Sequence, residues 1–220
     1  MNDRTRDASG SNLPPSTTSH SAPRVQARDA LRGGVEWREL VPDERPVELE
    51  IGSGKGLFLQ TAATETPSHF FVGLELAAKF ANRAAQRLHK HGISNAIVLR
   101  ADAKRFLQES VPDAAVVGVH VYFPDPWWRN KHKKRRVLTE QTLEDIVRVL
   151  VPGGCFHFWT DVLDYYEHVC GMVMDHTRLE GPHYVPQRAA EHTMDYTTHF
   201  ERRARLHDQP VYRALFVKPR

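Results

Sequence analysis

Asp125 sits between two prolines in the stretch FPDPWWRNKHKKRR (Phe123 to Arg136). Six cations follow it, Arg129, Lys131, Lys133, Lys134, Arg135 and Arg136, with no acid among them. The whole chain has a formal net charge of only +3, so without this run it would be net acidic. Basicity this local points to an anionic partner more than a uniformly raised pI does. The cations suit phosphate groups, and Trp127 or Trp128 suits stacking on a base or ribose. In isolation the run also fits a solvated loop, and a tryptophan also fits packing beneath it. Position tips the balance toward phosphate contacts, because the charge begins directly behind a carboxylate that closes the strand-like run VHVYFP.

A second constellation lies in VELEIGSGKGLFL, where Glu50 precedes Gly52, Gly54 and Gly56 between a strand-like and a helix-like segment. A phosphate loop of the GxxxxGK[ST] type needs a hydroxyl after its lysine, and Lys55 is followed by Gly56. A dinucleotide loop counted from Gly52 needs a third glycine where Leu57 stands. The pattern ExGxGxG instead resembles the first motif of Rossmann-like S-adenosylmethionine methyltransferases, in which the glycines admit the cofactor to the backbone and the acid helps place its amino-acid end. A plain strand–turn–helix is the alternative for the loop alone.

Three further acids close strand-like runs: Glu75 after HFFVGL, Asp102 after AIVLRA and Asp125 after VHVYFP. Open α/β sheets bind ligands beyond the carboxyl ends of their strands, so Glu50, Glu75, Asp102 and Asp125 are expected on one rim. Glu75 can accept two ribose hydroxyls from either adenosylmethionine or NAD, and Asp102 with the Ala103 backbone can meet an adenine edge. Asp102 taken singly also fits a helix N-cap.

The elements that must position these groups alternate as βαβ units. Strands are expected at 47–51, 70–75, 96–100, 115–123 and 155–160, and helices at 56–65, 77–91, 103–109, 139–150 and 163–176. Phe80, Ala84 and Leu88 share one face of the 77–91 helix, and Val-Pro-Gly-Gly at 151–154 turns a helix into the next strand. The stretch 200–217 is expected as an antiparallel hairpin. The fold class is therefore α/β and Rossmann-like, a mostly parallel central sheet with a C-terminal antiparallel hairpin and helices on both faces. Residues 1–28, poor in bulky apolar side chains, read as a disordered tail before one domain at 29–220 with its core at 46–218.

Cys155 and Cys170 form no CxxC pair or disulfide framework, and the 13 histidines show no zinc-like spacing, so no metal is expected and the histidines read as solvated or helix-end residues. No apolar run reaches the roughly 20 residues of a membrane span, and no secretory leader is visible.

Taken together, ELEIGSGKG, FVGLE, RADA, FPDPWWRNKHKKRRVL, FWTD and THFE resemble the bacterial tRNA (guanine-N7-)-methyltransferase family from about Glu48 to Lys218. The resemblance implies S-adenosyl-L-methionine as cofactor, S-adenosyl-L-homocysteine as its product, and N7-methylguanosine formed in the variable loop of tRNA. It assigns Glu50, Glu75, Asp102 and Asp125 to the cofactor, with Asp125 also the catalytic position. It assigns Arg129, Asp161 and the segment from Thr198 to Glu201 to the nucleoside. Trp128 stands where the family usually has proline, and Arg129 where it usually has lysine. A cytoplasmic monomer or homodimer without an obligate protein partner is the expected setting. Without the resemblance Asp161 fits a cap for the next helix, and Thr198 and Glu201 fit an exposed hairpin start.

Guanine N7 carries a lone pair and no proton, so its attack on a sulfonium methyl needs alignment more than a base. A carboxylate at Asp125 would orient the purine and stabilise its growing positive charge. The competing readings are a methyltransferase acting on another RNA, a protein or a small molecule, and a non-catalytic RNA-binding module on the same fold.

Overall fold

The computed structural model describes residues 26–31, 35–41, 44–127, 135–192 and 195–220. In chain order its elements are β1 (Arg28–Asp29), α1 (Trp37–Leu40), β2 (Val47–Ile51), α2 (Leu57–Glu65), β3 (Phe70–Glu75), α3 (Ala78–Lys90), β4 (Ala96–Arg100), α4 (Ala103–Ser110), β5 (Val116–Tyr122), α5 (Glu140–Val149), β6 (Leu150–Thr160), α6 (Leu163–His176), β7 (Glu180–His183), α7 (His199–Leu206) and β8 (Tyr212–Val217). The strands form one sheet in the order β1-β4-β3-β2-β5-β6-β8-β7. It is parallel from β1 to β6 and antiparallel where β8 meets β6 and β7.

Chain order reverses between β2 and β5, and a crevice opens at the carboxyl ends of strands at such a switch point. The two segments singled out above, the glycine loop after β2 and the Pro-Asp-Pro stretch after β5, leave the sheet side by side at this point.

Alternation along each strand sorts side chains between two cores. Ile97 and Leu99 of β4 join the layer of α4, α5 and α6, whereas Ala96 and Val98 join the layer of α2 and α3. Helices thus cover both faces. On α3 the inner stripe is Ala81, Ala84 and Leu88; Phe80, expected on it, is turned out and 38% exposed.

Three boundaries depart from expectation. Residues 199–206 are a helix, so the expected hairpin gives way to β8 pairing with β7 at one edge and β6 at the other. Thr198 caps that helix, and Glu201 and Ala204 turn inward three residues apart, a helical spacing that overrides strand pairing. Residues 150–154 belong to β6 as an irregularity, with Val116 opposite Leu150 and Gly118 opposite Cys155. Ala27 and Arg28, assigned to the tail, lie in the folded body: Ala27 N donates to Asn82 Oδ1 at 3.0 Å, and Arg28 pairs with Leu99. The remainder of the expected tail, residues 1–25, lies outside the described residues. Among the described residues no helix is long and apolar enough to cross a membrane, and no group of three or more His, Cys, Asp or Glu is placed to hold a metal ion.

Candidate functional site

A cavity of about 390 Å³ opens where β2 runs into α2, lined by Glu50, the Gly52–Lys55 loop, Leu57, Phe58, Phe80 and Tyr122, and by Thr198, His199, Phe200 and Arg203 from the start of α7. The loop turns through three left-handed residues, Gly52 (φ 82°), Gly54 (φ 53°) and Gly56 (φ 72°). At Gly56 a side chain is barred twice, since a Cβ there would also lie 2.8 Å from Cβ of Ala84 on α3. Helix α2 therefore starts hard against α3 with no side-chain cap, and its first turn carries no acid. The unpaired N–H groups of that turn, beside cavity-lining Leu57 and Phe58, favour a carboxylate or phosphate.

Beneath the loop lies Glu50, only 4% exposed, and its Oε2 has no hydrogen-bond partner among the described residues. Burial drives its pKa up to about 8, the nearby Glu75 charge adds to this, and a hydrogen bond with Ser53 opposes it. A buried carboxyl oxygen left without a partner is costly, and a ligand cation in the cavity would supply one. Cation binding near neutral pH is then expected to displace a proton from Glu50. Calorimetric titration in buffers of different ionisation enthalpy reads this as release of up to one proton per site at pH 7, and zero release would contradict it.

Glu75 is tied to the same turn: its Oε2 accepts from Gly54 N at 2.9 Å and its Oε1 from Ala77 N at 2.8 Å. Each oxygen keeps a second lone pair for a ligand hydroxyl. Asp102 is the N-cap of α4, with Oδ1 accepting from Lys104 N at 3.0 Å and Arg105 N at 3.5 Å. Ala103 opens that helix. β3 and β4 pair through Glu75 and Arg100, so Glu75, Asp102 and Ala103 lie together at neighbouring strand ends. They continue the rim beyond the cavity itself, whose lining includes none of the three.

The Asp125 stretch is rigid by construction. Phe123 (φ 51°) and Trp127 (φ 41°) take up the left-handed region that most side chains avoid, and two prolines lie between them. Phe123 N donates to Trp159 O at 2.8 Å, and Arg136 Nε donates to Pro126 O at 2.8 Å with its guanidinium 4.9 Å over the Tyr165 ring. Arg136, expected on phosphate, thus commits one donor to bracing this loop, and Arg135 lies 5.2 Å over the Trp127 ring. Trp128, Arg129, Lys131, Lys133 and Lys134 lie outside the described residues. Asp125 is exposed and makes no hydrogen bond or ion pair among the described residues. Asp161 follows Thr160 on the adjacent strand; Val162, without a side-chain cap, is the N-cap of α6, so Asp161 does not serve as its cap.

Thr198 lines the cavity, whereas Glu201 is buried behind it, and both serve as structural parts. Thr198 Oγ1 accepts from Glu201 N at 3.0 Å, and Glu201 Oε2 accepts from Thr197 N at 2.7 Å, a reciprocal helix start. Oε1 of Glu201 pairs with Arg213 at 2.9 Å and Arg205 at 3.4 Å, all but hidden from solvent. Besides Thr198, the groups of this segment that line the cavity are His199, Phe200 and Arg203, with Phe200 stacked on Phe123 at 6.0 Å and capped by Arg203 at 5.2 Å. Glu201→Ala is expected to cost about 3 kcal/mol of stability by stranding Arg213, seen as a lowered denaturation midpoint; an unchanged midpoint would restore Glu201 to a purely ligand-binding role.

A polar chain to which the motifs assign no role lies buried beneath the cavity. Glu48 Oε1 accepts from His69 Nδ1 at 2.6 Å and its Oε2 from His120 Nε2 at 2.5 Å. Burial would push the Glu48 pKa up, but the hydrogen bonds and charges of His120 and His69 outweigh it and hold the carboxyl at about 2. Burial first, then the charges of Glu50 and Glu48, raises Tyr122 well above the usual phenol range, so it keeps its proton, and its hydroxyl is hydrogen-bonded to His120 Nδ1 at 2.8 Å. His120 is also stacked on His157 at 4.6 Å. His120 and His157 are therefore strand residues, the first buried and the second partly buried, not helix-end ones. The signal was there: Glu48 and Glu50 on β2 alternate with apolar residues just as Gly118, His120 and Tyr122 do on β5, and Gly118 leaves the room that Glu48 and His120 occupy.

Burial, then the charge of His120, lowers His157 to about 3. The unfolded chain takes up that proton at about pH 6.5, so stability is full above pH 6.5 and is lost as pH falls toward 3. His157→Gln is expected to flatten the decline in denaturation midpoint between pH 7 and pH 5; an unaltered slope would show that another group drives it.

The methyltransferase family model Methyltransf_4 matches residues 44–214. A tRNA (guanine-N(7)-)-methyltransferase of Rhodopirellula baltica is 43% identical over 200 residues, spanning 88% of this chain and 74% of its own length. One of the same name from Geobacter metallireducens is 32% identical over 145 residues, 66% of this chain and 69% of the relative. Among solved structures, the 16S rRNA methyltransferase KamB superposes with a TM-score of 0.63 at 16% identity, covering 89% of this chain and 100% of that one. At that identity the likeness concerns the fold alone.

Proposed function

The chain belongs to the tRNA (guanine-N7-)-methyltransferase family, and we propose on that footing that its cavity holds S-adenosyl-L-methionine beside a tRNA guanine whose N7 receives the methyl group. The observation that carries the cofactor reading is Glu50: a buried carboxyl oxygen without a partner among the described residues, under a glycine turn and beside an uncapped helix start. A ligand bearing both an ammonium and a carboxylate on one carbon satisfies both features at once. Bound there, the cofactor supplies an electrophilic methyl on a sulfonium.

The chain's residues then divide the work. Glu50 takes the ammonium and the first turn of α2 takes the carboxylate, across the backbone of Gly52, Gly54 and Gly56. Glu75 offers its remaining lone pairs to ribose hydroxyls, and Asp102 with Ala103 borders the adenine. Asp125, on its braced loop, orients the guanine and stabilises the positive charge that grows on the purine; it removes no proton, because N7 has none. Asp161, carried on the next strand, and Arg129 serve the nucleoside. Phe200 and Arg203 extend the wall that Thr198 and Glu201 hold in shape. Lys131, Lys133, Lys134 and Arg135 supply phosphate contacts, and Arg136 adds its free nitrogens while bracing the loop. The reading extends to a cytoplasmic enzyme, since its substrate is tRNA, and to a monomer or homodimer.

Incubation with methyl-labelled S-adenosylmethionine and bulk unmodified tRNA, followed by nucleoside analysis, tests this. Label in N7-methylguanosine is expected. Label confined to protein or to another nucleoside would move the chain to one of the competing activities, and no label at all would favour a non-catalytic RNA-binding module.

A further inference from the structure

Arg87 belongs to none of the motifs, yet its guanidinium on α3 reaches three other elements. Nε donates to the Lys55 carbonyl of the glycine loop at 2.9 Å, one terminal nitrogen donates to Gln60 Oε1 on α2 at 2.9 Å, and the other lies 3.3 Å from His199 Nε2 at the start of α7. Burial and then the charges of Arg87, Lys55 and Arg202 lower the His199 pKa, which leaves that ring neutral and its Nε2 free to accept from Arg87 at neutral pH. Lys55 and His199 both line the cavity. The loop touches α3 a second time where Gly56 abuts Ala84, one turn from Arg87.

The guanidinium is planar, with its donors fixed in one fork. A shift of the Lys55 carbonyl tilts the whole fork, and the bond to His199 must follow or break. The loop that takes the cofactor and the helix that faces the guanine are therefore not independent. Resting on the function proposed above, we infer that Arg87 is a positioning residue that couples them: a cofactor-ordered loop fixes α7 through Arg87 and His199, so that tRNA binds more tightly once the cofactor is in place. Reciprocity then requires tRNA to tighten the cofactor by the same factor.

The test is the dissociation constant of an unmodified tRNA transcript without and with saturating S-adenosylhomocysteine, for the wild type, Arg87→Met, Arg87→Lys and His199→Ala, with melting curves for each. The wild type is expected to tighten about 5- to 20-fold with S-adenosylhomocysteine. Arg87→Met is expected to bring the ratio close to one. Arg87→Lys keeps the charge but cannot span three partners, and it should fall as far; His199→Ala cuts only the link to α7 and should also lose the ratio. A purely structural role would weaken the binary and ternary complexes alike and leave the ratio unchanged. If Arg87→Met fails to fold, the other two variants decide. A wild type with no tightening, or an Arg87→Lys and His199→Ala pair that keep it in full, overturns the coupling. Failure of the wild type to bind S-adenosylhomocysteine at all would overturn both the coupling and the cofactor site beneath it.

Discussion

Asp125→Asn is expected to slow methyl transfer about 10²- to 10³-fold in single-turnover assays, with tRNA and S-adenosylmethionine affinities changed only a few-fold. The substitution keeps the shape of the side chain and removes its charge. Nothing else about the loop needs to move: its conformation is set by Pro124, Pro126 and the left-handed Phe123 and Trp127, and by the Arg136 bond to Pro126 O, none of which involves the Asp125 carboxylate. The loss thus isolates the charge term. Positive charge reaches the purine only as the methyl arrives, so a carboxylate acting there contributes to the rate far more than to ground-state binding. The expected signature is a fall in the rate constant at saturating tRNA and cofactor. A weakened affinity with an unchanged rate would make Asp125 a binding residue, and full turnover by the Asn variant would remove it from the chemistry.

Glu50→Gln is expected to weaken S-adenosylmethionine by about 10²-fold or more, and at the same time to make the free protein more stable at pH 8. Both effects come from one buried carboxyl. In the unfolded chain it titrates near 4.5, and in the fold near 8. Between those values the folded state holds a proton that the unfolded state has released, so the carboxyl subtracts stability as pH rises through that window. Glutamine carries no charge and escapes that penalty, which should raise the denaturation midpoint at pH 8 by a few degrees, at about 2–4 °C per kcal/mol for a domain of this size. The gain should vanish near pH 4. The price is function: without a carboxylate the ligand ammonium meets no counter-charge at the buried Glu50 position. Loss of affinity without the stability gain would mean that Glu50 is not strained in the free protein, and unaltered affinity would place the amino-acid end of the cofactor elsewhere.

Much of this was legible in the residues themselves. The bounds of β2, β3 and β4 match expectation because each buried parallel strand is rich in apolar residues and runs into a glycine turn or an acid that begins the next turn, even though β2 also carries Glu48 and Glu50. Glu50 could be placed because it stands in a strand that runs into a glycine turn, and Glu75 because it closes an apolar run. What escaped depends on contacts between distant segments. Residues 199–206 look too charged for either a core strand or a core helix, and their inward face is made by Glu201 meeting Arg213, a pair that no periodicity reveals. The Glu48–His120–Tyr122 chain needs the register of β2 against β5 before its members can be seen to meet. Arg87 is the extreme case: its three partners come from the glycine loop, α2 and α7.

In the proposed reaction the nucleophile is N7 of a guanine in tRNA. Two tRNA transcripts identical but for guanine or 7-deazaguanine at every G differ there by a single ring atom, and each can be offered to the wild type with methyl-labelled S-adenosylmethionine. Label should enter the guanine transcript and be absent from the 7-deaza transcript, provided both compete equally for binding. Equal labelling of the two would contradict N7 as the acceptor and with it the role given to Asp125.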